Sequence, residues 1–174
     1  NYTGTYCRLT DDKQKEKIFF SGKNRYLVQQ HYFSKIPGNP MIYWINQTVF
    51  HCFEIGKRVD SFAYPKQGLA TGNNKRFVRF WFEVDKSKIG FSMPSREAAF
   101  VSRKKWFPYN KGGGYRKWYG NHQYVINWEK DGFEIKNFKG SAIRNTQFYF
   151  KKGISWCKVT GNHFSMRFIP QGFL

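Results

Sequence analysis

Phe77-Val78-Arg79-Phe80-Trp81-Phe82-Glu83-Val84 is the stretch on which the fold class turns. It is built from β-branched and aromatic residues, with Arg79 and Glu83 falling on one face at a period of two, and so predicts a strand. Upstream the period is helical. Ile36-Pro37-Gly38-Asn39-Pro40 is a break, and behind it Met41, Ile42, Ile45, Val49, Cys52 and Phe53 recur at helix spacing as far as Gly56. Asn39 as N-cap and Pro40 as first helical residue predict a helix over 40–56. Earlier still, Tyr2 to Leu9 reads as an edge strand, Asp11 with Gln14 as a capping box ended by Gly22, and Tyr26 to Tyr32 as a strand. Downstream, a short helix is expected near Pro94 and Ser95, and the glycine-rich run 106–120 reads as loop. Gln123 to Trp128 predicts a strand and Lys130-Asp131-Gly132 a turn. Strands follow over 146–152, 155–159 and 163–169, the last two joined by a Gly161-Asn162 hairpin turn. The sum is an α+β class: a mixed β-sheet with a few short helices in the first 105 residues and a strand-rich second half.

Charge narrows the partner. Thirty Lys and Arg face eleven Asp and Glu, a net of +19, and residues 61–120 alone carry thirteen basic and three acidic side chains, a net of +10. Such self-repulsion points to a polyanion, with nucleic acid the first candidate and an anionic membrane surface the second. The membrane reading needs a basic amphipathic helix, whereas the middle third reads as strand and loop. No apolar run approaches the ~20 residues that span a bilayer. Aromatics at 21% exclude a disordered basic tail. Cys7, Cys52 and Cys157 are odd in number and far apart, which fits neither a disulfide framework nor a zinc site and predicts reduced thiols in a cytoplasm. The Asn1 and Asn46 sequons carry no weight without a signal peptide. A chain that starts at Asn1 is expected to be a piece of something longer.

Catalytic patterns are missing. His31, His51, His122 and His163 stand in no H-E-x-x-H or H-x-E context, and there is neither a G-x-S-x-G elbow nor a P-loop. Asp131, Glu134 and Lys136 are spaced too tightly for a two-strand nuclease carboxylate cluster and read as a solvated turn. Phe107-Pro108-Tyr109-Asn110 resembles an amino-methyltransferase Asn/Asp-Pro-Pro-Tyr/Phe motif. It lacks the leading polar residue and the second proline, and no G-x-G loop precedes it. No catalytic or metal residue is assigned.

Two constellations carry binding chemistry. In Gln67 to Arg79, Gly68 and Gly72 allow sharp turns and close approach. Thr71, Asn73 and Asn74 offer short polar groups, and Lys75, Arg76 and Arg79 offer phosphate neutralisation. An ordinary glycine turn before a strand is the competing reading. In Lys104 to Tyr119, five cations interleave with six aromatics around Gly112, Gly113 and Gly114. That suits backbone neutralisation with stacking or wedge insertion; the competing reading is a solvated loop whose aromatics turn into the core. Lys75, Arg76, Lys111, Arg116 and Lys117 are the candidates for phosphates. Thr71, Asn74 and Arg79 are candidates for base edges or for fixing the glycine loop. A third group, Tyr149 to Lys152 with Lys158, reads as a charged strand end.

At these motifs a resemblance emerges. Gly68-Leu69-Ala70-Thr71-Gly72-Asn73-Asn74-Lys75-Arg76-Phe77-Val78-Arg79 resembles the G-L/M-x-T-G-x-N-x-x-F-V/L-R signature of PglX-type adenine-specific DNA methyltransferases of BREX phage-defence systems. These are similar to fused type II restriction-modification enzymes. Phe33 to Trp44, Lys105 to Gly113, Arg116 to Asn121, Val125 to Gly132 and Tyr149 to Trp156 resemble further family segments, in order, from about Tyr26 to the end. The resemblance implies that 26–174 is a DNA target-recognition domain and that 1–25 ends the preceding methyltransferase domain or forms a linker. It implies S-adenosylmethionine in the parent enzyme, whose catalytic domain receives the flipped adenine, and no cofactor in this chain. The implied partners are double-stranded DNA, the methyltransferase domain of the same chain, and defence-system subunits or a phage inhibitor, in a bacterial cytoplasm. On this basis Gly68, Thr71, Gly72, Asn74, Lys75, Arg76, Arg79, Lys111, Gly112, Gly113, Arg116, Lys117 and Trp118 are the expected DNA-binding positions. Two rivals stay open. One is a protein-interaction module for an acidic partner; the other is a single-strand platform stacking bases on Trp106, Tyr109 and Trp118.

Overall fold

Strand pairing begins at the third residue. The computed structural model describes residues 2–9, 13–157 and 163–174, and in it β1 (Thr3–Cys7) lies antiparallel to β2 (Arg25–Gln29), Thr3 opposite Gln29 and Cys7 opposite Arg25. The segment before residue 26 is therefore a sheet partner of the segment after it. By its internal packing the chain forms two units, Asn1–Pro65 and Lys66–Leu174. Helix α1 (Lys15–Phe20) spans the β1–β2 connection, and Gly22 turns back at φ 71°. Thr10, Asp11 and Asp12, and with them the expected capping box, lie outside the described residues.

In the first unit β2 gives way at Gln29 to a 3-10 turn (Gln30–Lys35), so the strand expected over 26–32 is shorter. Phe33, Ile36 and Phe50 form its small core, with Tyr6, Val28, Tyr32, Ile42, Tyr43 and Ile45 packed around them. The helix expected over 40–56 is corrected to α2, Gln47–Ile55. Gly38 and Asn39 both take left-handed backbone, at φ 88° and 48°, which stops a helix from starting there. The cap is Asn46, whose Oδ1 accepts from the Thr48 amide at 3.0 Å and the Thr48 hydroxyl at 3.1 Å. Released from the helix, Ile42, Tyr43 and Ile45 pack on the core while Met41 stays exposed.

The second unit is built on a three-stranded antiparallel sheet in the order β3 (Val78–Phe80), β5 (Tyr124–Asn127), β4 (Trp106–Tyr109). The strand expected over 77–84 keeps only its centre. Asn73 accepts the Arg76 amide at 3.1 Å and so holds Asn74–Phe77 as helix α3. At the other end Glu83 folds back to accept the Phe80 amide at 2.7 Å, closing a 3-10 turn over Trp81–Glu83. The loop expected over 106–120 begins later than that, because its first four residues are β4, with Phe107 and Tyr109 buried. Pro108 is tolerated on this edge strand, where its carbonyl accepts the Leu174 amide at 2.9 Å and Leu174 O accepts the Asn110 amide at 2.8 Å.

Ser95 caps α4 (Arg96–Val101) as expected, accepting from Ala98 N at 3.2 Å. Helix α5 (Glu129–Lys136) lies beyond residue 105, so helices are not confined to the first part of the chain. It opens through the anticipated turn, with Lys130, Asp131 and Gly132 left-handed in succession. The strand expected over 146–152 is instead a 3-10 turn, Thr146–Phe148. β6 (Gly153–Trp156) and β7 (Met166–Ile169) pair antiparallel, Trp156 opposite Met166. Residues 158–162, including Lys158, the end of the predicted strand and the Gly161-Asn162 turn, lie outside the described residues. Phe77, Val78, Phe107, Ile126, Trp128, Ile135 and Phe150 centre this unit's core. The class is α+β, with three small antiparallel sheets among the described residues.

Candidate nucleic-acid interface

The glycine motif is largely committed to its own fold. Ala70 exchanges both backbone hydrogen bonds with Ala142, at 2.9 and 2.8 Å. Gly72 turns at φ 67°, and a Cβ there would stand 2.6 Å from the carbonyl carbon and oxygen of Gly140. The close approach that requires glycine is thus to the chain itself. Thr71 is buried and its hydroxyl donates to Asn74 Oδ1 at 2.6 Å, which ties both to the geometry of the loop. Arg76 donates through Nε at 2.9 Å and Nη2 at 2.6 Å to Glu134 Oε1, while Glu134 Oε2 accepts from Asn127 Nδ2 at 2.9 Å. That links α3, α5 and β5 and offsets the Arg76 charge. Arg79 Nη1 donates to the carbonyls of Lys75 and Val78 at 2.5 and 2.8 Å. Gly68 has open space around it, and Lys75 is exposed with no acid paired to it among the described residues.

The second motif behaves differently past Tyr109. Residues 112–119 are exposed throughout, carrying Gly112, Gly113, Arg116, Lys117 and Trp118 outward. Asn121 anchors the base of the loop, donating from Nδ2 to Gly114 O at 3.0 Å, and its amide lies where a Cβ on Gly113 would reach 3.2 Å. The Phe168 amide donates to Trp118 O at 2.9 Å, fastening the far side to β7. Lys117 Nζ sits 5.1 Å from the Trp118 ring centroid, Lys111 Nζ 4.4 Å from that of Tyr124, and Arg116 Nη1 donates to Tyr115 O at 3.4 Å. None of these three cations meets a carboxylate among the described residues. The sheet order sets the two motifs on either side of β5, with Arg79 opposite Val125 on one flank and Tyr109, leading to Lys111, on the other.

Stacking residues divide as well. Trp118 is 68% exposed, whereas Tyr109 is 8% exposed and Trp106 half-buried in β4. Tyr109 therefore offers no ring face to a base, and its hydroxyl donates to Leu69 O at 3.3 Å. The carboxylates near the Lys130 turn are ion-paired. Asp131 accepts from Arg96 and from Lys136 Nζ at 2.6 Å. Burial pushes its carboxyl up, but the hydrogen bonds from Arg96 and Lys136 outweigh that and hold it below the ordinary value. Burial pushes the Tyr149 hydroxyl up to about 12. Among the described residues no group of three or more His, Cys, Asp or Glu gathers as a metal ion would need. No described helix is long and apolar enough to cross a membrane. Cys7, Cys52 and Cys157 are free thiols.

Comparison with known proteins bears on what these cations serve. The chain is 37% identical over 191 residues to adenine-specific methyltransferase PglX of Lacticaseibacillus casei (strain Zhang), covering 99% of this chain and 16% of that protein. It is also 37% identical over 186 residues to adenine-specific methyltransferase BrxX of Escherichia coli O9:H4 (strain HS), covering 99% of this chain and 14% of that one. The chain matches adenine-specific methyltransferases along nearly all of its length. The resemblance to PglX-type proteins carried by the ordered motifs thus extends to the first 25 residues as well. The chain spans only about a sixth to a seventh of the length of these PglX and BrxX relatives. No family model matches it. Sequence reading passed over Trp81 and Phe82, both exposed beside β3, because it assigned them to a regular strand.

Proposed function

We propose that this chain is the target-recognition region of a longer adenine-specific DNA methyltransferase of BREX type, and that it grips duplex DNA through residues 61–120. The observation that carries this is the exposed 112–119 loop. Arg116 and Lys117, with Lys111 at its foot, are free of carboxylates among the described residues, in a chain similar throughout to adenine-specific methyltransferases. Lys75 joins these three in neutralising phosphates. Arg76 contributes less, because Glu134 offsets it. Thr71, Gly72 and Asn74 shape the loop that precedes β3, and Arg79 fixes the backbone of α3. Methyl transfer, S-adenosylmethionine and the flipped adenine belong to a separate methyltransferase domain of the parent, in a bacterial cytoplasm, with residues 1–25 as the passage from that domain. The single-strand rival loses support because Tyr109 is buried.

The test is equilibrium binding of the purified chain to duplex and single-stranded oligonucleotides between about 50 and 200 mM salt. The reading predicts duplex binding that weakens steeply with salt. Lys111→Ala and Lys117→Ala should each lower the log–log slope by about one, uniformly across sequences. No duplex binding at the lowest salt would overturn it. Binding to acidic proteins but not to DNA would favour the interaction-module rival.

A further inference from the structure

Three rings and a cation stand in series beside the candidate interface. Phe80 stacks on Tyr124 across the β3–β5 pair, with centroids 4.8 Å apart and planes at 24°. It also stacks on Phe82, at 5.2 Å and 7°. Lys111 lies against the Tyr124 ring, and Trp81 stands edge-on to Phe82 at 5.8 Å and 85°. Phe82 is nevertheless 65% exposed and Trp81 47%. These two side chains add little to the core, and the backbone holds them outward. The Trp81 amide donates to Gln123 O at 3.0 Å, and Glu83 closes the turn on the Phe80 amide, which draws its carboxylate back toward the backbone. The 3-10 turn that follows carries exposed Lys86 and Lys88, and Asp85, which precedes them in the chain, caps it by accepting from the Ser87 amide at 2.9 Å.

Near-parallel rings ending in an exposed aromatic, flanked by cations, match the two faces of a nucleotide: a flat π surface and a phosphate. An apolar protein partner would call for a broad apolar patch without lysines around it. We propose that Phe82, with Trp81 against its edge, is a stacking platform for one nucleobase unstacked from the DNA duplex, and that Lys86 and Lys88 neutralise the phosphates beside it. Stacking tolerates any base, so the platform bends and seats the duplex, while base-edge contacts elsewhere read the sequence. This inference rests on the duplex-binding reading above.

Its test uses the whole chain and duplexes carrying 2-aminopurine at successive positions, a base whose fluorescence rises when it leaves the stack. The wild type is expected to brighten the probe at one position. Phe82→Ala should abolish that signal and weaken duplex binding by roughly five-fold or more, with the salt slope unchanged, and Phe82→Tyr should retain both. Equal affinity and an equal signal in Phe82→Ala would overturn the platform and leave the duplex reading intact. A wild type with no duplex affinity would overturn both. Binding confined to single strands and weakened by Phe82→Ala would overturn the duplex commitment, because the base would then never be unstacked from a helix.

Discussion

At Gly72 a hydrogen in place of a methyl decides whether residues 70–72 can lie against 140–142. Gly72→Ala adds a left-handed alanine and a Cβ 2.6 Å from backbone, and neither neighbour is a flexible side chain that could swing aside. A loss of about 2 kcal/mol or more in denaturant unfolding is expected, whereas Gly68→Ala, in open space, should cost little. Asp131 makes a prediction in pH. Its carboxyl is held below its ordinary value by Arg96 and Lys136, so the native state favours the ionised form. That contribution is present above the unfolded-state value and is lost as pH falls through the lower native value. Asp131→Asn should therefore destabilise by about 1–2 kcal/mol near neutrality, with the gap to wild type narrowing as pH falls from about 5 toward 2. A gap independent of pH would mean that packing, and not the ion pairs, is what the substitution removes.

Among the elements, α2 shows how local signals compete. Apolar spacing over 41–53 is helical on paper, yet left-handed Gly38 and Asn39 and the double acceptor at Asn46 move the start to Gln47. Asn46→Ala should cost about 1 kcal/mol of stability, measured by chemical denaturation; no change would show that packing of Phe50 alone sets the boundary. α4 was legible because Ser95 is its local cap, and β5 because Tyr124, Val125 and Ile126 are strand formers in one short run. β3 and β4 were less legible for a physical reason. Glu83 and Asn73 trim β3 through side-chain bonds that periodicity does not encode. β4 owes its strand to β5 and to Leu174, both distant in sequence, and its proline and flanking glycines disguise it.

Across the whole chain, the +10 of residues 61–120 is not spread evenly in effect. Arg76 is offset by Glu134 and Arg96 by Asp131, while the 112–119 loop keeps its cations exposed. Composition revealed the excess, and only the fold shows which charges carboxylates already meet. The motif order revealed the resemblance to PglX-type proteins, and the comparisons extend it over 99% of the chain. Residues such as Phe82 stayed hidden because a regular strand would have alternated them instead of holding them out on a turn. The central claim is that these 174 residues choose the DNA sequence that a methyltransferase modifies. The most direct measurement puts them in place of the matching segment of the Lacticaseibacillus casei relative and maps methylated adenines across a host genome. The account predicts that methylation leaves the relative's original sequence and appears at a new one. Methylation persisting at the original sequence would contradict it.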